Sequence, residues 1–317
     1  ALIAAWAFYF GPGPSARQGD STIVILPSGA GVSAIAANLR SSGVIRSTDL
    51  FKAAAALTGD DRRLKAGEYE IPSGTSLRGV IRLLAEGRGV RHFVTLPEGW
   101  SSAQAVDILN GEAVLTGPAG ETPEEGSLWP DTYEVARGET RQSVIARMQR
   151  AARDNQAELW AARSPGTVVR TPQEALVLAS IVEKETGIAA ERPRVAAVFS
   201  NRLRQGMRLE TDPTVIYGIT QGKGVLDRGI RGSELRRRTP YNTYQIAGLP
   251  PTPIANPGRA SIEAALDPDD SDYVFFVADG SGGHAFARTL EEHNQNVRRW
   301  REIERQRGQA MSPVQGD

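Results

Sequence analysis

The sequence contains no cysteine, and this absence removes several classes of protein. Without thiols the chain can form neither disulfide bonds nor thiolate metal sites, and it has no cysteine nucleophile. Its only histidines are His92, His284 and His293, and no two of them have the close spacing of a zinc-binding helix. Glycine-rich phosphate-binding loops are also missing after strand-like runs. We therefore expect no metal and no cofactor.

The sequence also lacks an excess of either charge, with 37 basic and 37 acidic side chains. A protein built to hold nucleic acid normally carries a basic surplus, so we expect no nucleic-acid partner. Lysine is scarce, and Lys184 is in no phosphate-binding context. A lyase that works through a lysine Schiff base is therefore a remote alternative. The overall composition is globular, and 317 residues are enough for two modest cores.

Uncharged apolar residues occupy the first ten positions, and a Gly-Pro-Gly-Pro stretch follows them. Ten residues reach about 15 Å as a helix, which is roughly half of a bilayer core. Their Trp-Phe-Tyr-Phe composition is typical of a membrane interface. We therefore expect residues 1–10 to be the remnant of a single-pass transmembrane anchor, with a frayed apolar terminus as the alternative. Residues 11–20 are predicted to be a linker.

A weak internal repeat follows, in which a short apolar run ends in a Pro-x-Gly turn and leads into a helical pattern. The turns are Leu26–Gly29, Ile71–Gly74 and Leu96–Gly99. The first two copies indicate a small α+β module over residues 21–93. Its pattern resembles the LysM fold, a module that holds amino-sugar glycans. A generic αβ packing unit remains an equal alternative.

The third copy opens a larger mixed α+β region over residues 94–310, so the predicted fold class is α+β throughout. Its predicted elements are helices over 140–162 and 191–205, a strand over 273–278, and a last helix from Thr289. The polar residues 311–317 are predicted to be a disordered tail.

One further helix carries the main candidate for catalysis. A capping box with proline at the first helical position places its start at Thr171, and Gly187 is a plausible end. Its core face is predicted to contain Ala175, Leu178, Ala179 and Val182. Glu183 lies at the edge of this face, beside small residues that leave room for a bulky ligand. A half-buried glutamate is suited to general acid catalysis, although on the helix alone a solvent-facing glutamate is the commoner case.

Polar and aromatic side chains form several clusters that a structural core does not need. They lie in residues 125–133, 210–218, 241–244, 248–258 and 284–286. Aromatic rings pack against sugar faces, and Asn, Asp and Thr bind hydroxyls, so together these clusters are typical of a polysaccharide cleft.

The order and spacing of these clusters around Ala179–Thr186 resemble the YceG-like family, the endolytic murein transglycosylases, over about residues 23 to 300. The resemblance implies a single-pass protein of the inner membrane whose LysM-like module and catalytic domain face the cell wall. It also implies cleavage of the MurNAc–GlcNAc β-1,4 bond within nascent peptidoglycan strands, leaving 1,6-anhydro ends. Implied partners are glycan strands and possible penicillin-binding synthases. The family's catalytic glutamate corresponds to Glu183, and only Ser127–Trp129 falls in a variable part of a motif.

A lone carboxylate fits this lytic chemistry. Ordinary glycosidases need two carboxyl groups, because one protonates the leaving oxygen while the other activates water or attacks the sugar. In a lytic reaction the C6 hydroxyl of the substrate replaces water. We therefore expect Glu183 to donate its proton to the glycosidic oxygen and then to accept the proton of the C6 hydroxyl.

Other side chains are candidates for binding the glycan. We expect Tyr241, Asn242 and Tyr244 to form a sugar subsite and His284 to line the cleft rim. Asp131 either orients Glu183 or a sugar hydroxyl, or belongs to a common Pro-Asp-Thr turn.

Two further carboxylates and one histidine have more ordinary explanations. Glu185 lies about 200° round the helix from Glu183 and is predicted to be a solvated surface charge. Asp212 before Pro213 is more typical of a turn or cap. His293 lies on the apolar face of the last helix and is predicted to be a core histidine.

Two other functions remain open. A hydrolytic muramidase would need a second carboxylate roughly 5–9 Å from Glu183, which Asp131 or Asp212 could supply. A non-catalytic wall-binding scaffold would hold glycan and recruit synthases without cleaving anything.

Overall fold

The computed structural model describes residues 2–310, which separate into two compact units. Of these residues, the first unit comprises those up to Phe93 together with Val114–Thr116 and Glu134–Glu139, and the second unit comprises the others. The predicted tail at 311–317 lies outside the described residues. No helix within residues 2–310 has both the length and the apolar character needed to cross a bilayer.

The first unit is a small α+β structure. Its elements are α1 (Leu2–Phe10), β1 (Ser21–Leu26), α2 (Val32–Ser41), α3 (Thr48–Thr58), β2 (Gly67–Pro72) and α4 (Leu77–Glu86). β1 and β2 pair antiparallel, with Ser21 opposite Pro72 and Leu26 opposite Gly67. Val24 and Leu26 are buried while the alternate residues Ile23 and Ile25 are exposed, as expected for a strand covered on one face. The α+β class predicted here is confirmed, and the LysM-like identity stays a prediction.

The second unit is largely helical and carries short antiparallel strand pairs. Its helices are α5 (Ser102–Gly111), α6 (Arg141–Ala161), α7 (Pro172–Glu185), α8 (Arg192–Arg204), α9 (Asp212–Thr220), α10 (Gly232–Arg236), α11 (Arg259–Leu266) and α12 (Leu290–Ala310). Strand β5 (Phe275–Ala278) pairs antiparallel with β6 (His284–Ala287). Strands β3 (His92–Thr95) and β4 (Thr132–Val135) pair with each other, and each has residues in both units.

The predicted long helices are confirmed to within about two residues. The strand β6 was not predicted, because its four residues carry no strong alternation and follow a glycine pair. The last helix places His293 in a half-buried position, where its ring stacks on Phe275 at 5.0 Å. Burial lowers the pKa of this histidine, and Arg202 adds to the effect.

Helix α7 is the centre of the second unit. The hydroxyl of Thr171 accepts the N–H of Glu174 at 3.1 Å, so the predicted N-cap is present. The carboxylate of Glu174 accepts the N–H of Arg170 at 2.6 Å and not that of Thr171, so the predicted capping box is formed only in part. Every residue from Ala175 to Val182 is buried, because α6, α8, α9 and α11 surround the helix. The prediction of a single core face was therefore too narrow, and a helix that is apolar all round belongs in the interior. The helix ends at Glu185, with Thr186 as its C-cap in extended conformation, two residues before the predicted Gly187.

Asn256 is a completely buried hydrogen-bonding centre of this unit. Its Oδ1 accepts the N–H of Leu128 at 3.0 Å, and its Nδ2 donates to the Trp100 carbonyl at 3.0 Å and the Ser102 hydroxyl at 3.2 Å. Its backbone N–H also donates to Trp100, and its carbonyl accepts the N–H of Gly99, both at 2.9 Å. One side chain and its peptide groups thus join three loops that are distant in sequence.

The substitution Asn256→Ala should lower the free energy of unfolding by at least about 2 kcal/mol, because it leaves several buried polar groups of neighbouring loops without partners. Urea unfolding followed by circular dichroism measures the change. The matched control is Asn110→Ala, at an exposed position of α5, where we expect a change within about 0.5 kcal/mol. Equal stabilities of the two variants would contradict this role for Asn256.

Candidate active site

Glu183 lies in the last turn of α7, where the burial of the helix ends. Its side chain is only 6% exposed. Oε2 accepts the backbone N–H of Gly258 at 2.9 Å, and Oε1 accepts from Nη2 of Arg192 at 3.4 Å. Gly258 is the N-cap of α11, so the carboxyl group also faces the positive end of that helix. Both oxygens therefore have fixed donors in a site largely closed to solvent.

Two glycines allow this arrangement. Gly99 adopts φ +74, and a side chain there would meet Cγ of Glu183 at 3.3 Å. At Gly258 a Cβ atom would lie 1.9 Å from Oε1 of Glu98, so any side chain there would displace the Glu98 carboxyl group. The glycines of the Pro-Glu-Gly and Asn-Pro-Gly segments therefore let the backbone lie close to the side chains of Glu183 and Glu98, in addition to forming turns.

Glu98 is a second carboxyl group at the site, and the sequence prediction missed it. Its Oε2 lies 4.0 Å from Nη2 of Arg192, the same nitrogen that contacts Glu183. Burial, and to a lesser extent the charge of Glu183, raises the pKa of the Glu98 carboxyl. Glu98 is the variable residue of the Pro-x-Gly turn in the third repeat copy. An acidic residue at that position was the sequence feature that could have identified it.

A cavity of about 270 Å³ opens beside Lys184. The ammonium group of Lys184 donates to the Gly99 carbonyl at 3.2 Å. The cavity has an apolar and aromatic wall supplied by Pro213, Ile216, Tyr217, Val225, Leu226 and Ile254. Because Gly99 borders both this cavity and the Glu183 side chain, an extended ligand in the cavity would lie near the carboxyl group.

Glu125 is another carboxyl group that sequence reasoning did not single out as an acid. It accepts the N–H of Ser102 at 2.6 Å and the hydroxyl of Tyr217 at 3.1 Å. Burial raises its pKa, and these hydrogen bonds partly offset the effect. Its contacts tie the start of α5 to α9, so it supports the wall of the cavity.

Glu185 does not face solvent as predicted. The hydroxyl of Thr211 donates to its Oε1, and its side chain is partly buried against α9. Burial, the largest effect, and the nearby Asp212 raise the pKa of this carboxyl group. The prediction of a solvated surface charge was wrong because it took into account only α7 and not the segment packed against it.

The candidate subsite residues on 241–244 have hydrogen-bond partners within the protein. Asn242 is 1% exposed, and its Nδ2 donates to three carbonyls of the preceding segment, including that of Arg237 at 2.6 Å. The hydroxyl of Tyr241 is 2.7 Å from that of Thr252. The hydroxyl of Tyr244 donates to Asp212 at 2.8 Å. The structure thus places all three in a polar framework, and their contact with a sugar stays a prediction.

Asp131 and His284 also have local partners. Asp131 is exposed, and its Oδ1 accepts the N–H of Thr132, the first residue of β4, at 2.7 Å. His284 lies in β6, and its Nδ1 is 2.8 Å from Oε2 of Glu191. The contacts found for these two residues do not include Glu183. Among the described residues, no group of three or more His, Asp or Glu side chains could hold a metal ion.

The buried Glu185 leads to a pH-dependent prediction. The ordinary pKa of a glutamate is 4.5, and burial raises the pKa of Glu185 in the folded protein. The contribution of Glu185 to folding stability is therefore complete below pH 4.5, where the group is protonated in both states, and is lost as the pH rises through its pKa in the folded protein. Glu185→Gln removes this titration, so the stability of the variant relative to wild type should increase with pH above 4.5. Urea unfolding from pH 4.5 to pH 8 measures the trend. The control is Glu263→Gln, whose side chain is 55% exposed; a difference that does not change with pH would contradict the prediction.

Comparisons with known proteins match most of the chain. The YceG-like family matches residues 24–299. The endolytic murein transglycosylase of Bacillus subtilis is 32% identical over 328 residues, covering 92% of this chain and 89% of that protein. The endolytic murein transglycosylase of Streptococcus pneumoniae is 29% identical over 320 residues, covering 86% of this chain. The chain spans 57% of the streptococcal protein's length.

A solved structure is also similar. The crystal structure of a YceG-like protein from Listeria monocytogenes shares 30% sequence identity, with a TM-score of 0.53, over 88% of this chain and 99% of that one. Sequence and fold agree over most of both chains, and this chain therefore belongs to the YceG-like family.

Proposed function

We propose that this protein is a peptidoglycan lyase, an endolytic murein transglycosylase that uses Glu183 first as acid and then as base. Its relatives in Bacillus subtilis and Streptococcus pneumoniae carry that name. The observation that carries the proposal is the placement of Glu183: it is nearly enclosed, it lies next to Gly99 at the border of a cavity, and both carboxyl oxygens face donors.

The proposed substrate is the MurNAc–GlcNAc β-1,4 bond inside nascent glycan strands. Protonated Glu183 gives its proton to the glycosidic oxygen, which leaves with the bonding electrons as the bond to C1 breaks. The C6 hydroxyl of the same MurNAc ring then attacks C1 and transfers its proton to Glu183. A 1,6-anhydro end forms without water, and the acid is regenerated. Attack from within one ring gains from proximity.

The hydrogen-bond donors around Glu183 suit the state between the two proton transfers, when Glu183 is a carboxylate. A carboxylate exists only after the first proton transfer, and the Gly258 N–H and the Arg192 guanidinium stabilise that form. Donors that are already in place need no reorganisation when the charge develops. Lys184 and the apolar cavity beside it are suited to a sugar ring carrying an acidic substituent.

Glu98 makes a hydrolytic muramidase the second candidate. Glu98 and Glu183 contact the same Arg192 nitrogen at 4.0 and 3.4 Å, so their separation is below the roughly 9.5 Å limit of carboxyl pairs in glycosidases. In that mechanism Glu98 would activate a water molecule. The sugar end distinguishes the two, because hydrolysis leaves a free reducing end and the lytic reaction an anhydro end.

The cellular setting is part of the same proposal. We place the protein at the inner membrane, with the second unit facing the cell wall and the first unit, if LysM-like, holding glycan. The apolar, aromatic composition of residues 1–10 supports an anchor. A synthase of the penicillin-binding class is the partner that a strand-terminating enzyme requires.

The substitution Glu183→Gln should reduce the cleavage rate by about 10²–10⁴-fold or more, since an amide cannot exchange the proton. Uncrosslinked glycan strands are incubated with each protein and analysed by mass spectrometry. Internal fragments ending in anhydro-muramic acid, lighter by one water, are expected with wild type and with Glu263→Gln as the control.

Three other results of this experiment would lead to different conclusions. Free reducing ends from wild type would establish hydrolysis and make Glu98 the second carboxylate. Near-normal cleavage by Glu183→Gln would remove the catalytic assignment. No cleavage by the wild-type chain, in the presence of membranes and synthase, would favour the non-catalytic scaffold.

A further inference from the structure

Arg192 is shared between two carboxyl groups, and this sharing has a consequence for catalysis. Its side chain is 12% exposed, and Nη2 lies 3.4 Å from Glu183 and 4.0 Å from Glu98. Its Nε is buried and has no hydrogen-bond partner among the described residues. The guanidinium is therefore not held in a two-point pair with either carboxylate, and a small rotation would change which one it neutralises.

Glu98 is held close to this guanidinium by the backbone around it. The N–H of Gly99 donates to Asn256, and the N–H of Leu96 donates to the Asp131 carbonyl, both at 2.9 Å. The carboxyl group fills the space that a side chain at Gly258 would occupy. Glu98 thus lies against the peptide whose N–H donates to Glu183, while its own side chain is 49% exposed. It is placed to act on the site from the solvent side.

We propose that Glu98 is a positioning residue: through its negative charge and its hold on Arg192, it sets how firmly Glu183 retains the proton that the acid step requires. The inference rests on the proposed function, because it assigns a purpose to the proton on Glu183. It differs from the hydrolytic candidate, in which Glu98 would itself touch the reacting water.

The charges around Glu183 define the direction of the effect. Arg192 from α8 favours the ionised form, and Glu98 from the preceding loop opposes it. Lys184 on the same helix directs its ammonium group to the Gly99 carbonyl, and Glu191 at the start of α8 is paired with His284. The balance at Glu183 thus lies chiefly between Arg192 and Glu98.

The titration of Glu98 is consistent with this coupling. The charge of Glu183 contributes to the raised pKa of Glu98, after burial, and Arg192 acts in the opposite direction.

The test is the pH dependence of kcat/KM for cleavage of uncrosslinked glycan strands. In Glu98→Gln the alkaline limb, where the acid loses its proton, should move to lower pH by about 0.5–1 unit, the effect expected of one nearby charge at a partly exposed site. In Arg192→Gln the same limb should move to higher pH. Glu98→Asp, which keeps the charge, should restore the wild-type limb.

The matched control is Glu263→Gln, which removes the carboxylate of another Glu–Arg pair, 3.7 Å from Arg259, and should leave the profile unchanged. Circular dichroism confirms that each variant is folded. Opposite shifts in the two substitutions support the inference, because a merely structural role would not reverse sign.

An unshifted limb in Glu98→Gln, beside an active wild type and an inactive Glu183→Gln, would overturn this inference and leave the proposed function intact. Loss of all activity at every pH in folded Glu98→Gln would also overturn it and would assign Glu98 a direct part in the reaction. A wild type that does not cleave would overturn the proposed function, and this inference with it.

Discussion

The candidate site depends on the hydrogen bonds of one buried side chain. Asn256 is completely buried and joins the loop of Gly99–Ser102 to the segment around Leu128. Two residues further on, the N–H of Gly258 donates to Glu183. An amide can donate and accept at once, which is why no hydrophobic residue and no carboxylate could hold these loops together in the same way. The position of the Glu183 carboxyl group thus depends on hydrogen bonds made by a residue that has no catalytic role itself.

Helix α7 supplies the other half of the geometry. Since it is buried on all sides from Ala175 to Val182, it cannot rotate or slide without exposing core, and its last turn is correspondingly fixed. Glu183 emerges where this burial stops. The apolar part of the helix provides the rigidity, and Glu183, the first polar residue after it, lies beside Gly99, which borders the cavity.

Local signals predicted much of this structure and missed the contacts made at a distance. The Thr171 cap and the α7 periodicity place Glu183 correctly, because both depend on neighbours within four residues. Asn242 is of a residue type that commonly binds sugar hydroxyls, yet its amide bonds within the protein, to three carbonyls and to the N–H of Tyr244. Glu98 and Glu185 acquire their surroundings from segments more than 25 residues away, Gly258 and Thr211 respectively. Helical periodicity contains no information about such partners.

An acid that must later act as a base needs opposing influences on one proton. Donors alone, such as the Gly258 N–H and Arg192, would favour a permanent carboxylate that cannot begin the reaction. An apolar pocket alone would favour a permanent acid that cannot accept the second proton. In this site the donors are fixed by backbone and helix, while the carboxyl group of Glu98, which we propose opposes them, is half exposed.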